Sequence, residues 1–182
     1  MKLIGIGVFL FLVSIGFAQD SVRTSGFGMG IGPKQPYGLW GVFYQFTPKN
    51  LDLLEFNAGL GINKGMIVGL GPRFKIISNL KSYEMLVSIN YSYRFSSDHR
   101  YESNSNIDYY TVSDIQNMSY YFTNRFKVDT KFYLQGNIGY SQNISGYSIH
   151  HVRGLNDHLD KVENNLKSGL LIGIDVIVFP FD

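Results

Sequence analysis

Residues 83–95 read YEMLVSINYSYRF, and this stretch decides the fold because its apolar and polar faces follow a period of two. One face carries no charge, with aromatic residues toward its ends and aliphatic residues in its middle, whereas the other face is mostly polar. This period is typical of a β-strand whose two sides meet different surroundings. A strand that crosses a membrane has about 9–11 residues, with aromatic side chains at both membrane interfaces. The pattern therefore predicts a membrane-spanning strand.

Seven further segments repeat this alternation, so the sequence predicts eight strands. We place the others at residues 25–32, 37–47, 52–62, 66–77, about 117–126, 131–143 and 167–179. In each of them one face is rich in aromatic and aliphatic side chains, while the other is mostly glycine and polar residues.

The connections between these strands differ in length. Those after strands two, four and six are short, and so are residues 33–36 and 63–65, which follow strands one and three. Residues 96–108 and 144–166, after strands five and seven, are long and polar. Bacterial single-chain outer-membrane barrels have an even number of strands, short periplasmic turns and longer outer loops. A chain that starts in the periplasm would have the same asymmetry, so we predict an all-β fold: an eight-stranded antiparallel up-and-down transmembrane β-barrel.

The start of the chain and its composition agree with export. Lys2, the apolar residues 3–17, and the small residues Gly16 and Ala18 predict a secretory signal peptide at residues 1–18, which leaves a barrel domain at residues 19–182. The chain has no cysteine, which excludes disulfides and thiolate chemistry. With 16 Lys+Arg against 14 Asp+Glu and no basic patch, it is not expected to bind nucleic acid.

The polar faces favour a membrane barrel over a water-soluble barrel of the lipocalin type. In a soluble barrel the outward face meets water and should be rich in Lys and Glu. Here the polar face is mostly Gly, Ser and Asn, and glycine inside a narrow barrel leaves room for large neighbours. We therefore expect the apolar faces to contact lipid. This lipid-facing wall would include Met85, Val87, Ile89, Ile172, Ile174 and Val176.

The polar faces also carry charges, which we expect to pair inside the barrel. If residues 63–65 close strands three and four symmetrically, Glu55 lies opposite Arg73, and Lys75 falls beside Glu84 across the next hairpin. Unpaired charges in a low-dielectric lumen are costly. We predict a structural charge network of these four residues, extended by Arg94, Arg125 and Asp175. Because side chains can fill the interior of an eight-stranded barrel, this network would plug the lumen. Glycines in the outer half leave room for a small cavity.

The two long loops contain all four histidines and our candidate outer contacts, which are Arg100, Tyr101, Tyr109, Tyr110, His150, His151 and His158. Tyrosines with Ser and Asn are typical of partner-binding surfaces, although Tyr109 and Tyr110 also fit an outer aromatic girdle. The histidines and aspartates fit no standard metal spacing, so no metal or cofactor is predicted. Ser148 lies near His150, but no triad motif accompanies them, and no catalytic residue is assigned.

The chain ends GIDVIVFPFD, an apolar strand with aromatic residues at its end. With the signal peptide and the eight alternating strands, this terminus makes the chain resemble the small eight-stranded outer-membrane barrels of OmpX and OmpA-barrel type. Such barrels usually end on the aromatic residue itself, whereas here Asp182 follows. The resemblance implies the outer membrane of a Gram-negative bacterium, contact with its lipids and lipopolysaccharide, and insertion by the barrel-assembly machinery.

Three functions fit this class. We expect a non-enzymatic structural or accessory subunit of an outer-membrane complex, whose partner would be another outer-membrane protein or a lipoprotein. A second interpretation is an adhesin or resistance barrel of OmpX type that acts through residues 96–108 and 144–166, although two of the four outer connections are very short. A lipid A-modifying hydrolase is the third.

Overall fold

The structure is a computed structural model that describes residues 22–80, 82–103, 106–155 and 157–181. The expected signal peptide and Asp182 lie outside the described residues. The elements are β1 (Val22–Ile31), β2 (Trp40–Pro48), β3 (Leu54–Ile62), β4 (Met66–Leu80), β5 (Tyr83–Arg94), β6 (Ser97–Ser103), β7 (Asn106–Val112), β8 (Ile115–Lys127), β9 (Phe132–Asn143), β10 (Ile149–Arg153), α1 (Leu159–Leu166) and β11 (Gly169–Phe181). In this part of the chain, no helix has the length and hydropathy to cross a membrane.

Eight of the strands close into an antiparallel barrel in the order β1-β2-β3-β4-β5-β8-β9-β11. β11 returns to β1, where Phe27 lies opposite Val178 and Ile31 lies opposite Ile174. Closure pairs both edges of every barrel strand, which removes the exposed edges of an open sheet. Each predicted strand corresponds to one barrel strand. The predicted fold class, an all-β eight-stranded antiparallel up-and-down barrel, is confirmed.

The pleat of each barrel strand directs one side chain into the lumen and the next one outward. In β5, Leu86, Ser88 and Asn90 are buried, whereas Ile89 between two of them is 37% exposed. The six residues of the expected lipid-facing wall lie on the outward positions of β5 and β11: Met85, Val87, Ile89, Ile172, Ile174 and Val176. The lumen is therefore largely polar and the outer surface apolar, which is the reverse of a water-soluble barrel.

Residues 96–108 and 144–166 contribute to a second, smaller sheet instead of the long polar loops that we predicted. β6 and β7 form a hairpin, and β10 pairs with the other side of β7. We call these three strands the outer sheet and the end of the barrel that carries them the outer end; the opposite end is the inner end. The loop prediction was wrong because short strands such as β6 (SDHRYES) carry charges at alternate positions and have no apolar face.

Helix α1 packs against the outer sheet. Its apolar residues Leu159, Val162 and Leu166 recur at the spacing of an amphipathic helix. Val162 and Leu166 are buried in a cluster that also contains Tyr110, Val112 and Ile115. The outer sheet and α1 therefore have a small apolar core of their own, distinct from the polar lumen.

The connection between β1 and β2, residues 32–39, turns into the barrel, and we call it the plug segment. Its residues Gln35, Pro36 and Tyr37 are buried. Glycines of the barrel wall make the space: a Cβ atom on Gly59 would lie 2.7 Å from Tyr37 Cδ1, and one on Gly69 would lie 2.6 Å from the Pro36 carbonyl oxygen. The plug segment occupies much of the room that the sequence analysis left for a cavity, and β2 begins at Trp40 rather than at Tyr37.

Candidate functional site

A group of four charged side chains lies in the inner half of the lumen, where all four line a small cavity. Arg125 donates from Nη1 to Glu55 Oε1 at 2.8 Å and from Nη2 to Glu55 Oε2 at 2.7 Å. Its Nη1 also lies 2.8 Å from Glu84 Oε2. Lys75 Nζ is 3.1 Å from Glu55 Oε1 and 4.0 Å from Glu84 Oε1. Two cations and two carboxylates thus compensate one another, and Arg125 and Glu55 are the most deeply buried of the four.

Arg73 differs from the expected arrangement. The register places it opposite Glu55, yet within the described residues no carboxylate lies within ion-pair distance of it. Its guanidinium instead donates to Gln45 Oε1 at 3.3 Å and to Tyr121 Oη at 3.3 Å, and it lies 5.5 Å from the centroid of the Phe43 ring. The register defines only which Cα atoms are adjacent, whereas a long side chain reaches partners across the lumen.

Amide side chains connect the two arginines to Asp175. Gln135 Oε1 accepts a hydrogen bond from Arg125 Nε at 3.0 Å and from Arg73 Nη1 at 3.4 Å. Its Nε2 donates to Asp175 Oδ2 at 3.0 Å, and Asn137 Nδ2 donates to the same oxygen at 2.6 Å. Asp175 therefore joins the network through neutral amides rather than through a direct ion pair.

Aromatic and amide groups close the lumen at mid-height. The Tyr37 hydroxyl donates to Asn57 Oδ1, and its ring stacks on Phe43 with centroids 5.3 Å apart. Asn90 Nδ2 donates to Tyr121 Oη at 2.8 Å. We predicted only charged residues in the lumen and missed these neutral groups, although the same period of two places Asn57, Asn90, Tyr121 and Gln135 on the inward side.

Arg94 does not belong to the charge network, contrary to our expectation. It is the last residue of β5, at the outer end of the lumen, and it is 8% exposed. No carboxylate of the described residues lies within 4.0 Å of its guanidinium nitrogens. The prediction failed because the network lies in the inner half of the barrel, beyond the reach of this side chain.

The expected outer contacts divide into buried and exposed residues. Tyr110 and His158 are buried, so their assignment as contact residues was wrong: His158 Nδ1 lies 2.6 Å from Oδ2 of the buried Asp108, and Tyr110 is in the core under α1. Tyr101 is half-buried and accepts hydrogen bonds from Lys64 Nζ at 2.8 Å and Asn165 Nδ2 at 3.0 Å. The exposed members are Arg100, Tyr109, His150 and His151.

His99 is a buried titratable group of the outer sheet. Its Nε2 lies 3.0 Å from Ser97 Oγ. Burial, together with the nearby positive charges of Lys64 and Arg94, lowers the pKa of His99 to about 4. This histidine is therefore neutral at physiological pH.

Two histidine contacts bear on catalysis. Ser148 Oγ lies 3.3 Å from His150 Nε2 on the exposed side of the outer sheet, but no carboxylate in the described part of the chain contacts this pair. The His158–Asp108 pair lies elsewhere, with His158 Nδ1 2.6 Å from Asp108 Oδ2. A hydrolase triad needs all three groups in one chain of hydrogen bonds. The described residues also contain no cluster of three or more His, Cys, Asp or Glu side chains suited to a metal ion.

The fold and the lumen define the class of this chain as a closed eight-stranded antiparallel β-barrel with a polar, side-chain-filled interior. No family model matches the chain, and no curated protein matches it. A similar solved structure is that of a major outer membrane protein from Thermus thermophilus, with a TM-score of 0.44 and 12% sequence identity, covering 85% of this chain and 100% of that chain.

Proposed function

We propose that this chain is a non-enzymatic integral outer-membrane β-barrel with a plugged lumen, which serves as a structural or accessory subunit of an outer-membrane complex. The observation that carries the proposal is the apolar outer surface of the barrel. Every barrel strand carries large apolar residues with more than a third of their surface exposed, including Phe27, Val42, Leu60, Leu70, Ile89, Phe122, Ile138 and Ile174. In water this would be an apolar patch far larger than soluble proteins expose, whereas in a bilayer it is the surface that meets lipid.

The aromatic residues on this surface support the membrane placement. Toward the inner end, Phe46 and Phe56 stack with ring centroids 5.5 Å apart, and Tyr83 packs on Phe126 at 5.1 Å. Toward the outer end, Trp40 is exposed, and Tyr93 packs against Phe95 at 5.0 Å. Aliphatic residues lie between these two groups. Membrane barrels have such aromatic girdles at both interfaces, where a ring meets lipid on one side and water on the other.

The filled lumen supports a structural rather than a transport role. The Arg125–Glu55 pair and, nearer the outer end, Tyr37 of the plug segment obstruct the interior with buried side chains. An eight-stranded barrel has no room for a water channel beside such side chains. Residues free to act on a partner are therefore on the outer surface of the barrel and on the outer sheet.

Purification of the full chain from cell envelopes in mild detergent, followed by cross-linking, tests the accessory role. We expect the protein in the outer-membrane fraction, with another barrel protein or a lipoprotein cross-linked in stoichiometric amounts. A photo-cross-linker at the exposed Ile138 on the barrel and one at the exposed Val152 on the outer sheet would locate the contact. A protein that is always monomeric and forms no cross-link from either position would contradict the accessory role.

The packed outer sheet favours one second candidate, a surface protein that binds its partner through residues 96–108 and 144–166. The edge strands β6 and β10 carry exposed charged side chains, including Arg100, Glu102 and Arg153. A preformed sheet loses less entropy on binding than a loose loop. If this candidate is right, reversal of these charges abolishes the attachment of cells that display the protein to the partner.

A lipid A hydrolase remains the third proposal, and overexpression without a mass shift in lipid A would contradict it.

A further inference from the structure

We propose that the outer end of the lumen binds one small inorganic anion of the size of chloride, held by Arg94 together with Lys34. Arg94 faces the lumen with more than nine-tenths of its surface buried. Its Nε has no hydrogen-bond partner within the described residues. A buried donor left without a hydrogen-bond partner is costly, and more so on a charged group. An anion that accepts a hydrogen bond from this nitrogen would remove that cost and compensate the charge of Arg94.

The surroundings of Arg94 select an anion. A cavity lies between the plug segment, β5, β8, β9 and helix α1, and Arg94 lines it together with the hydrogen-bond donors Lys34, Ser92 and Asn117. None of the described residues that line this cavity is acidic. Ser92 and Asn117 are cross-strand partners on β5 and β8, so both side chains lie on the same inward face of the sheet.

Lys34 supplies the second positive charge. Its Nζ donates to the backbone carbonyl oxygen of Asn165 at 2.8 Å and to that of Lys167. An ammonium group has three N–H donors, and these two bonds use two of them. Burial, and after it the positive charge of Arg94, lowers the pKa of Lys34.

The size of the cavity restricts the ligand. It has room for about one or two water-sized spheres. The side chains of Ile67 and Leu166 form apolar parts of its wall. A single chloride ion fits this space, whereas gluconate or a lipid phosphate group with its substituents does not. An ion here would join the plug segment, the barrel wall and α1, because Lys34 is already bonded to the C-terminal end of that helix.

Diffraction from crystals of the full chain grown in bromide tests the site directly. We expect an anomalous difference peak within hydrogen-bond distance of the Arg94 guanidinium, and we expect no such peak in Arg94→Gln. Arg100→Gln is the matched control because Arg100 lies on the outer sheet and its side chain is 56% exposed. A crystal that shows no anomalous signal beside Arg94 in the wild-type protein overturns the proposal.

Unfolding in detergent provides a second, solution measurement. At constant ionic strength we expect a higher urea midpoint in chloride than in gluconate, and well above the dissociation constant each tenfold increase in chloride should raise the folded-to-unfolded ratio about tenfold. Arg94→Gln and Lys34→Gln should abolish the difference between the salts, whereas Lys34→Arg and Arg100→Gln should retain it. Equal midpoints in both salts for the wild-type protein would overturn the proposal even if the variants fold poorly.

Discussion

Arg125 and Glu55 form a two-point ion pair across the lumen, with N···O distances of 2.8 and 2.7 Å. The two residues belong to β8 and β3, which are not neighbours in the barrel. Both side chains are 2% exposed. Planar guanidinium and carboxylate groups match in this bidentate geometry, which is stronger and more specific than a single contact. The pair therefore links opposite parts of the barrel wall, and each side chain needs the other to compensate its buried charge.

Glu55→Gln tests this dependence. The amide keeps the shape of the side chain but removes its charge, which leaves Arg125 with Glu84 and takes the closer carboxylate from Lys75. We expect a loss of about 3 kcal/mol in the free energy of unfolding, at the lower end of the range for a broken buried pair because Glu84 still contacts Arg125. A urea titration of the protein folded into phospholipid vesicles measures this loss.

The exposed pair Arg100–Glu102 on the outer sheet is the matched control. Its N···O distance is 2.9 Å, and the two side chains are 56% and 64% exposed. Glu102→Gln should change the free energy of unfolding by about 0–1 kcal/mol, as is typical of surface pairs. Equal losses for Glu55→Gln and Glu102→Gln would show that the lumen pair does not stabilise the barrel.

A second prediction compares two strand glycines. A Cβ atom on Gly59 would lie 2.6 Å from the Val42 carbonyl oxygen and 2.7 Å from Tyr37 Cδ1, whereas one on Gly136 would have no atom within 4 Å. Gly59→Ala should therefore destabilise the barrel by about 1–3 kcal/mol through overpacking against the plug segment. Gly136→Ala reduces the conformational entropy of the unfolded chain in the same way, and it should leave the free energy of unfolding unchanged or raise it slightly. The same urea titration compares them, and a harmless Gly59→Ala would contradict the inward packing of Tyr37.

A third prediction tests the lipid-facing wall with two isoleucines of similar exposure. Ile89 lies in the middle of β5 and is 37% exposed, and Ile107 lies on the outer sheet and is 39% exposed. In vesicles, Ile89→Arg should cost about 2–4 kcal/mol because the charge would lie near the middle of the bilayer. Ile107→Arg should cost little because its side chain meets water. If both variants are equally stable, the outer surface of the barrel does not contact lipid.

A fourth prediction concerns ion conduction. Purified protein in planar bilayers should show no steady conductance, because the buried network and the plug segment obstruct the lumen and leave only small cavities. A porin with a water-filled channel, added under the same conditions, would serve as the positive control. Steady current steps from the pure protein that scale with the salt concentration would exclude a closed lumen.

A fifth prediction concerns the pH dependence of the outer sheet. His99 has a pKa of about 4 in the folded protein and about 6.5 in an unfolded chain. Between these values the unfolded state binds more protons, so the stability of the sheet falls as the pH is lowered from about 6.5 to about 4 and levels off below that range.

Hydrogen exchange of the β6 and β7 amides as a function of pH measures this effect. Protection, corrected for the intrinsic exchange rates, should decrease as the pH is lowered through this window. His99→Gln should remove that part of the decrease. An identical pH profile for the wild-type protein and His99→Gln would show that His99 does not titrate in this way.

The period of two in the sequence was enough to determine the eight barrel strands and which side chains face outward. This is a local property, because the pleat alone places Met85, Val87 and Ile89 on one side of β5 whatever the rest of the chain does. The Glu55–Arg73 register could also be derived, since a short turn aligns two neighbouring strands. The outer sheet could not be derived from the sequence, because strands such as β6 have no apolar face that would indicate a strand.

Only the tertiary structure decided which groups meet inside the lumen. Arg125 and Glu55 are 70 residues apart in the sequence, and their contact depends on barrel closure and on the length of the side chains that cross it. The same closure brings the plug segment against the glycines of β3 and β4 and leaves Arg94 away from the carboxylates that compensate Arg125 and Lys75. Strand identity depends on neighbours along the chain, whereas these contacts depend on the positions of all eight strands at once, which no local pattern in the sequence records.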